Sequence, residues 1–405
     1  MNPFFKNYLS DMIRVPFTLE TADELCALGD RTGGTGADAF RVTIKKVPDK
    51  KDLLTSTSLA LGEAYMRGDI EVDRDLFEVL NLFLGQIAAF HRNERALKKL
   101  VHTSLSKQNQ EQEVTAHYDI GNDFYRLWLD DTMSYSCAYF KDAGDAGDAF
   151  ALQPADRERL TQAQTDKVDH ILEKLQLKPG MRLLDIGCGW GFLLARAAEK
   201  YDVSGLGITL SVEQHAAFSQ LIERRNLKER LSVRRMDYRE LEKSGLVFDR
   251  VVSVGMLEHV GRGNYGLFLK NVNAVLADGG LFLLHFISAL KEHPGDAWIK
   301  KYIFPGGVIP SLREIIDEMA ERNFYTLDVE SLRRHYTKTL LSWRKALTEQ
   351  REKVVKMQGE EFYRMWELYL ASCAAAFYNG VIDLHQILMS KGINNGTAMV
   401  RNYRI

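Results

Sequence analysis

No run in these 405 residues is apolar enough to cross a bilayer. A spanning helix needs about 18 or more consecutive apolar residues, and the nearest approach, Leu281 to Leu290, is short and carries His285. An excess of one charge is missing too: 53 Lys and Arg stand against 55 Asp and Glu, a formal net charge of −2. Nucleic-acid binders usually show a strongly basic balance, so no nucleic-acid partner is expected. Cysteine is sparse. The four (Cys26, Cys137, Cys188, Cys373) are scattered without CxxC pairs, which argues against a disulfide framework, and no Cys/His spacing suggests zinc, so no metal is expected. The first residues mix Lys6, Asp11 and Arg14 into an apolar stretch without a signal-peptide pattern, and no repeat of solenoid period is visible. What the chain does have is apolar surface: 45% of residues are hydrophobic, enough for a large core and too much for disorder. At roughly 150 residues per domain, two or three domains are expected. The composition describes a soluble, cytoplasmic, multidomain protein.

Patterning changes along the chain. Helical periodicity dominates Leu76–Phe90 and continues through the basic stretch His91–Lys107. Asp142 to Ala149 reads DAGDAGDA, a flexible loop by composition. Beyond it, helices and strands alternate. Strands are expected at Arg182–Ile186, Val203–Ile208, Leu231–Arg235, Asp249–Val254 and Leu281–Phe286, with a late one at Leu384–Met389. Helices are expected at Gln162–Leu175, Gly191–Lys200, Val212–Asn226 and Asn264–Leu276. Such alternation implies βαβ units in a mainly parallel, doubly wound α/β sheet. Leu332 to Tyr378 turns helical again and interrupts the sheet. The division drawn is a helical N-terminal domain over 1–107 and a catalytic domain over 108–405, with a helical insertion at about 332–380.

The most informative turn is Asp185-Ile-Gly187-Cys-Gly189-Trp-Gly191, which follows a strand and opens a helix. Glycines there let a ligand approach the backbone closely. The spacing is GxGxG, with Phe192 where the dinucleotide fingerprint wants its final glycine, and the GKS or GKT ending of a P-loop is missing. An adenosyl ligand without a pyrophosphate fits better, and S-adenosylmethionine is the natural candidate; taken alone, the turn is also compatible with a plain strand–helix connection. Thr209-Leu-Ser211-Val-Glu-Gln214 follows the second strand, where hydroxyl and amide groups would meet the ribose hydroxyls. Asp237-Tyr238-Arg239 follows the third, where a carboxylate and an aromatic face suit an adenine.

Several longer stretches then make a family visible. His117-Tyr-Asp-Ile-Gly-Asn-Asp-Phe-Tyr125, Met133-Ser-Tyr135-Ser136-Cys137-Ala-Tyr139-Phe140, Asp185–Gly191, Val254-Gly-Met-Leu-Glu258-His259-Val260, Tyr302-Ile-Phe-Pro305-Gly306-Gly307 and His335-Tyr336 together resemble the cyclopropane-fatty-acyl-phospholipid synthases. The resemblance covers roughly Glu113 to Gly392 and implies a seven-stranded, Rossmann-like methyltransferase sheet. It implies methyl transfer from S-adenosylmethionine to the cis double bond of a phospholipid acyl chain, closing a cyclopropane ring. It also implies an active-site bicarbonate ion, with Cys137, Glu258, His285, the Ile287 backbone and Tyr336 as its ligands. The cofactor contacts implied are Tyr135, Ser136, Gly187, Gly189, Thr209, Gln214, Asp237 and Tyr238. Two places depart from the family pattern: Asp142–Asp156 looks like an insertion, and His285-Phe286-Ile287-Ser288 carries a bulky Phe286 and a serine where glycine is common.

The chemistry wants such residues. An alkene is a poor nucleophile, so the main task is in-line alignment in a dry pocket, where proximity can supply about 7–11 kcal/mol. Methyl transfer leaves a carbocation-like centre that water would quench, and aromatic walls can stabilise it. A base must then take one proton. Bicarbonate can donate its O–H to Glu258 and accept from Tyr336 and His285; alternatively Glu258 is itself the base. Each residue taken singly also has a bland reading: Cys137 as core, His285 as a structural histidine, Tyr336 as an interface hydroxyl.

A lipid substrate raises the question of the membrane. Arg92 to Lys107 carries a local +4 and Arg333 to Lys356 a local +6. Such runs are usually solvated helix faces, but basic amphipathic segments can dock reversibly on anionic lipid, so the bilayer is the expected partner. Leu76–Phe90 could add lipid contact or a homodimer interface, and the stripe Phe362, Trp366, Tyr369, Leu370, Cys373, Phe377 reads as core or as the wall of an acyl tunnel. Rival readings are a related methyltransferase making methyl-branched lipids or methylating a small amine, and a non-catalytic lipid-binding protein.

Overall fold

The computed structural model describes residues 15–29, 40–87, 120–143, 147–292 and 295–400. Of the expected N-terminal helices, Leu76–Phe90 appears as a helix over Leu76–Ile87; the basic stretch His91–Lys107 lies outside the described residues, as does His117. The N-terminal part also holds a sheet that the sequence reading did not anticipate. Strands β1 (Phe17–Thr21), β2 (Leu25–Leu28) and β3 (Phe40–Ile44) are followed by helices α1 (Lys50–Thr55) and α2 (Thr57–Met66), strand β4 (Ile70–Val72) and helix α3 (Leu76–Ile87). The sheet order is β2-β1-β3-β4, with β1 and β3 parallel. Its strands are three to five residues long, too short for a clear period, yet Phe17 and Leu19 alternate inward with Phe40, Val42 and Ile44.

The larger part begins with helices α4 (Asn122–Trp128), α5 (Asp148–Leu152) and α6 (Arg157–Lys174). It then alternates through β5 (Arg182–Ile186), α7 (Phe192–Tyr201), β6 (Ser204–Thr209), α8 (Val212–Arg224), β7 (Leu231–Arg235), β8 (Phe248–Val254), α9 (Tyr265–Val275) and β9 (Leu276–Ser288). After the short α10 (Ala297–Tyr302) and α11 (Leu312–Ala320) come β10 (Phe324–Ser331), the inserted helices α12 (Arg333–Glu349), α13 (Arg351–Gln358) and α14 (Glu360–Tyr378), and β11 (Asp383–Lys391). The seven-stranded order is β10-β11-β9-β8-β5-β6-β7. Strands β5 to β9 run parallel; β11 pairs antiparallel with β9, and β10 completes the sheet antiparallel to β11. The six expected strands are present within a few residues; β10 was missed because its FYTLDVES sequence is half polar and lies at the sheet edge. Chain order leaves β5 in one direction for β6 and in the other for β8, so the glycine turn after β5 stands at the topological switch point, where ligands of open α/β sheets bind.

The DAGDAGDA region is only partly loop. It contains α5, which is fastened to α12: Lys338 Nζ donates to the Phe150 and Gln153 carbonyls, and Ser342 Oγ accepts from Ala155 N at 2.8 Å. Part of the basic run over α12 and α13 is engaged within the fold. Arg333 donates to the Phe377 and Tyr378 carbonyls, Arg344 pairs with Asp75 and Glu367, and Arg351 pairs with Glu360. Arg334, Lys345, Arg351, Lys353 and Lys356 remain exposed.

The two parts are joined through α14 and α10. Arg364 donates to the carbonyls of Tyr65 (2.6 Å) and Ile70 (2.9 Å), and Lys301 and Tyr302 both reach Glu63. Glycine is required where α2 crosses α10: a Cβ on Gly62 would sit 2.4 Å from the Trp298 ring. Among the described residues no helix is long and apolar enough to cross a membrane.

Candidate active site

Two cavities meet at the carboxyl ends of the sheet. The smaller, about 150 Å³, lies over the glycine turn. Gly187, Gly189 and Gly191 all have positive φ, and Gly191 permits no alternative: at φ 88°, a Cβ there would stand 2.0 Å from the Phe218 ring. This cleft is lined by Tyr135, Ser136, Asp185, Gly187, Gly189, Gly191, Thr209, Gln214, Asp237 and Tyr238 among others, so it gathers all but one of the residues expected to meet the cofactor. Ser211 is the exception. It caps α8, its hydroxyl accepting from Gln214 N at 3.2 Å, and it is fully buried outside the cleft. Thr209 Oγ1 donates to Gln214 Oε1 at 2.8 Å, which leaves the amide NH₂ as the donor for a ligand hydroxyl. The Asp237 carboxylate is held by Arg239 through its Nε and Nη2, both at 2.8 Å, so the cleft meets it as an Asp–Arg pair.

One member of this cleft was not legible beforehand. Lys167, on α6, is buried and donates to Ser136 Oγ at 2.9 Å. Burial pulls its pKa down to about 8 and pushes that of buried Asp185 up to about 7, with Lys167 drawing the carboxyl back. In sequence Lys167 is one charge on an amphipathic helix; only the packing of α6 against the 132–136 segment turns it inward.

The second cavity is much larger, about 720 Å³, and mostly apolar. Cys137, Glu258, His285, Ile287 and Tyr336 all line it. Its far walls come from both parts of the chain: Val42, Leu61, Val79, Leu80 and Phe83 from the N-terminal part, and Leu368, Tyr369, Cys373, Ala376 and Phe377 from α14. The helical stripe therefore divides. Tyr369, Cys373 and Phe377 face the cavity, whereas Phe362, Trp366 and Leu370 pack into an aromatic core with Phe124 and Trp128. The size lies within the ~300–1,000 Å³ usual for small-molecule sites. Tyr135, Ser136, Gly255 and His259 line both cavities and form the wall between them. Tyr135 is fixed there by its hydroxyl contact with Tyr369, 2.8 Å, and Tyr336 stacks obliquely on Phe377 at 4.6 Å.

Polar groups are few and incompletely matched. Glu258 Oε1 accepts from the Ile287 backbone N–H at 2.6 Å, so that amide is committed to the carboxylate and is not left for a ligand as the sequence reading expected. Among the described residues Glu258 Oε2 and His285 Nε2 are buried without a hydrogen-bond partner. Orphaned buried polar groups are costly, about 1–3 kcal/mol each, and point to a ligand. Burial raises the Glu258 pKa to about 7 and lowers that of His285 to about 3, so the imidazole is neutral. Burial also holds the Cys137 thiol and the Tyr336 phenol protonated; the thiol donates to the Ala138 carbonyl at 3.2 Å. One acceptor, a neutral imidazole and a phenol around one cavity fit a small oxyanion that carries a single O–H, the donor set of bicarbonate. Among the described residues no group of His, Cys, Asp and Glu could hold a metal.

Comparison with known proteins agrees with this geometry. The family model for mycolic acid cyclopropane synthetase matches residues 105–387, and a model for a domain of unknown function matches residues 4–95. A probable fatty acid methyltransferase of Pseudomonas putida is 38% identical over 361 residues, 87% of each chain. The cyclopropane-fatty-acyl-phospholipid synthase of Escherichia coli is 38% identical over 372 residues, 90% of this chain and 92% of that one. The crystal structure of mycolic acid cyclopropane synthase CmaA1 complexed with SAH and CTAB superposes with a TM-score of 0.61 at 37% identity, covering 69% of this chain and 98% of that one.

Proposed function

This chain belongs to the mycolic acid cyclopropane synthetase family, and on that premise we propose that it transfers a methylene group from S-adenosylmethionine to the cis double bond of an unsaturated phospholipid acyl chain. The observation that carries the reading is the shared wall: a small polar cleft over the glycine turn abuts a large apolar cavity at Tyr135, Ser136, Gly255 and His259. A water-soluble methyl donor and a hydrocarbon acceptor need such an arrangement, because each must be solvated differently and their reacting atoms must touch.

The cleft residues hold the donor: the glycine turn by backbone approach, Gln214 by its amide, Tyr238 and the Asp237–Arg239 pair toward the adenine side. The acyl chain lies in the larger cavity with its double bond at the wall. The alkene π electrons form a C–C bond to the sulfonium methyl as the C–S bond breaks, leaving a cationic centre on the chain. Tyr135, Tyr336, Phe304, Tyr369 and Phe377 surround that region of the cavity with aromatic faces, which stabilise positive charge and exclude water. Loss of one proton from the new methyl then allows its electron pair to close the ring. Bicarbonate, held by His285, Glu258 and Tyr336, supplies a base for that proton when bound; Glu258, fixed by Ile287 N–H, orients it.

The test is incubation with vesicles of unsaturated phospholipid and labelled donor, followed by mass analysis of the acyl chains. A gain of CH₂ with loss of the olefin is expected. A saturated methyl branch or no transfer overturns the reading. Activity unchanged in rigorously bicarbonate-free buffer, yet lost in Glu258→Gln, would assign the base to Glu258 instead.

A further inference from the structure

The imidazole of His285 does not choose its own tautomer. His285 lies on β9 directly opposite Gln386 on β11, and Gln386 lies directly opposite Glu330 on β10. The three side chains therefore form one row across three antiparallel strands, on the same face. Below them runs the last turn of α6, from which Lys174 reaches up. His285, Gln386 and Lys174 are all 1% exposed or less.

The contacts are ordered. Gln386 Nε2 is 3.2 Å from His285 Nδ1, and Gln386 Oε1 is 2.9 Å from Lys174 Nζ. Lys174 Nζ also meets Glu330 Oε2 at 2.5 Å and stands 3.6 Å from Asp328 Oδ2. A lysine ammonium has three donors and no acceptor. It can face only the oxygen end of the Gln386 amide, because the reverse orientation would set NH₂ against NH₃⁺ inside the protein. With Oε1 fixed on Lys174, the NH₂ end must face His285. That NH₂ donates, so Nδ1 must be the bare, accepting nitrogen. A neutral ring then carries its hydrogen on Nε2, the atom left without a protein partner, in a residue that lines the same cavity as Glu258 and Tyr336.

We infer that Lys174 and Gln386 are positioning residues that lock His285 as the Nε2–H tautomer, so that it presents a hydrogen-bond donor, never an acceptor, to the oxyanion site. The lock matters because the opposite tautomer would aim a lone pair at a bound anion, replacing attraction by repulsion. Glu330 completes it by anchoring the ammonium, and His170 Nε2, at 2.7 Å from the same carboxylate oxygen, ties the anchor to α6 one turn earlier. The functional part of this inference rests on the reading of His285 as an oxyanion ligand; the tautomer itself does not.

The experiment is long-range ¹H–¹⁵N correlation NMR on ¹⁵N-histidine-labelled protein, with His285→Gln used to assign the signal. Wild-type protein is expected to show His285 protonated on Nε2. Observation of the Nδ1–H form overturns the inference without any further variant. Gln386→Glu keeps the shape and the contact to Lys174 but offers only acceptors, so it should move a hydrogen onto Nδ1. Its kcat should fall about ten-fold or more, by analogy with losing the partner that orients a metal-ligating histidine, with KM for S-adenosylmethionine unchanged. Lys174→Met should give mixed tautomers, since the amide is then free to turn. An unchanged wild-type tautomer in both variants refutes the lock. A switched tautomer with full activity upholds the lock and refutes the assignment of His285 as an oxyanion ligand.

Discussion

Replacing Glu258 by glutamine should make the protein more stable as the pH rises, while stopping its chemistry. The carboxyl is buried, with one oxygen held by Ile287 N–H and the other unpartnered, and burial lifts its pKa from 4.5 to about 7. The folded state thus holds a proton that the unfolded chain releases earlier. Below about pH 4.5 both states are protonated and Glu258 imposes no penalty. Between about pH 4.5 and 7 the folded state binds more protons than the unfolded one, so stability falls as pH rises. Above about pH 7 the whole penalty is in place. At about 1.4 kcal/mol per pH unit it amounts to about 3 kcal/mol. A glutamine amide cannot ionise and carries no such penalty. The assay is urea unfolding of both proteins from pH 4.5 to 8 in bicarbonate-depleted buffer, so that no anion shifts the balance. The stability difference should swing by about 3 kcal/mol in favour of Glu258→Gln across that range. A difference that stays flat with pH would refute the argument that burial, only partly offset by the Ile287 N–H, governs this carboxyl.

Other expectations follow from the same geometry. Gly191→Ala must displace Phe218 and adopt a strained φ, so it should lose more than about 1 kcal/mol of stability and weaken S-adenosylmethionine binding by calorimetry. Leu80→Trp fills the N-terminal end of the large cavity; turnover of long acyl chains should fall about ten-fold or more while donor affinity is kept, measured with chains of graded length. Sedimentation with vesicles should show retention on anionic lipid that falls as salt is raised, and equal retention on neutral lipid at all salt concentrations would exclude docking through basic faces.

How much of this could be read beforehand follows from the range of the interactions. The parallel strands were legible because short Leu/Ile/Val-rich segments such as β5 and β8 alternate with helical segments and end in turn signals. Gly187 to Gly191 was legible because a backbone requirement leaves its mark at fixed spacing. Ser211 was read as a ligand contact because a helix cap and a ligand contact use the same residue types in the same loops. The edge strand β10 is half polar, and the N-terminal strands, although Phe40, Val42 and Ile44 alternate, are only three to five residues long and too short to stand out as strands. Lys167, Lys174 and Gln386 were invisible for a different reason: a buried polar residue looks like a surface one until its partners, 31, 156 and 101 positions away, are in place. The basic run from Arg333 divides: Arg333 and Arg344 are engaged by the fold, while Arg334, Lys345, Arg351, Lys353 and Lys356 stay on the surface.

The large cavity draws its walls from two layers of the chain that are clasped together by ion pairs and backbone hydrogen bonds. Whatever fills it is a ligand of their junction as much as of the catalytic centre. On the proposed function, tighter docking of the N-terminal layer should by linkage raise the affinity for the acyl chain, and the acyl chain should strengthen the docking by the same factor. Saturation at about one hundred times the dissociation constant would add about 2.7 kcal/mol to the folded, docked state. On the proposed function, added unsaturated lipid should therefore raise the resistance of the folded, docked protein to unfolding.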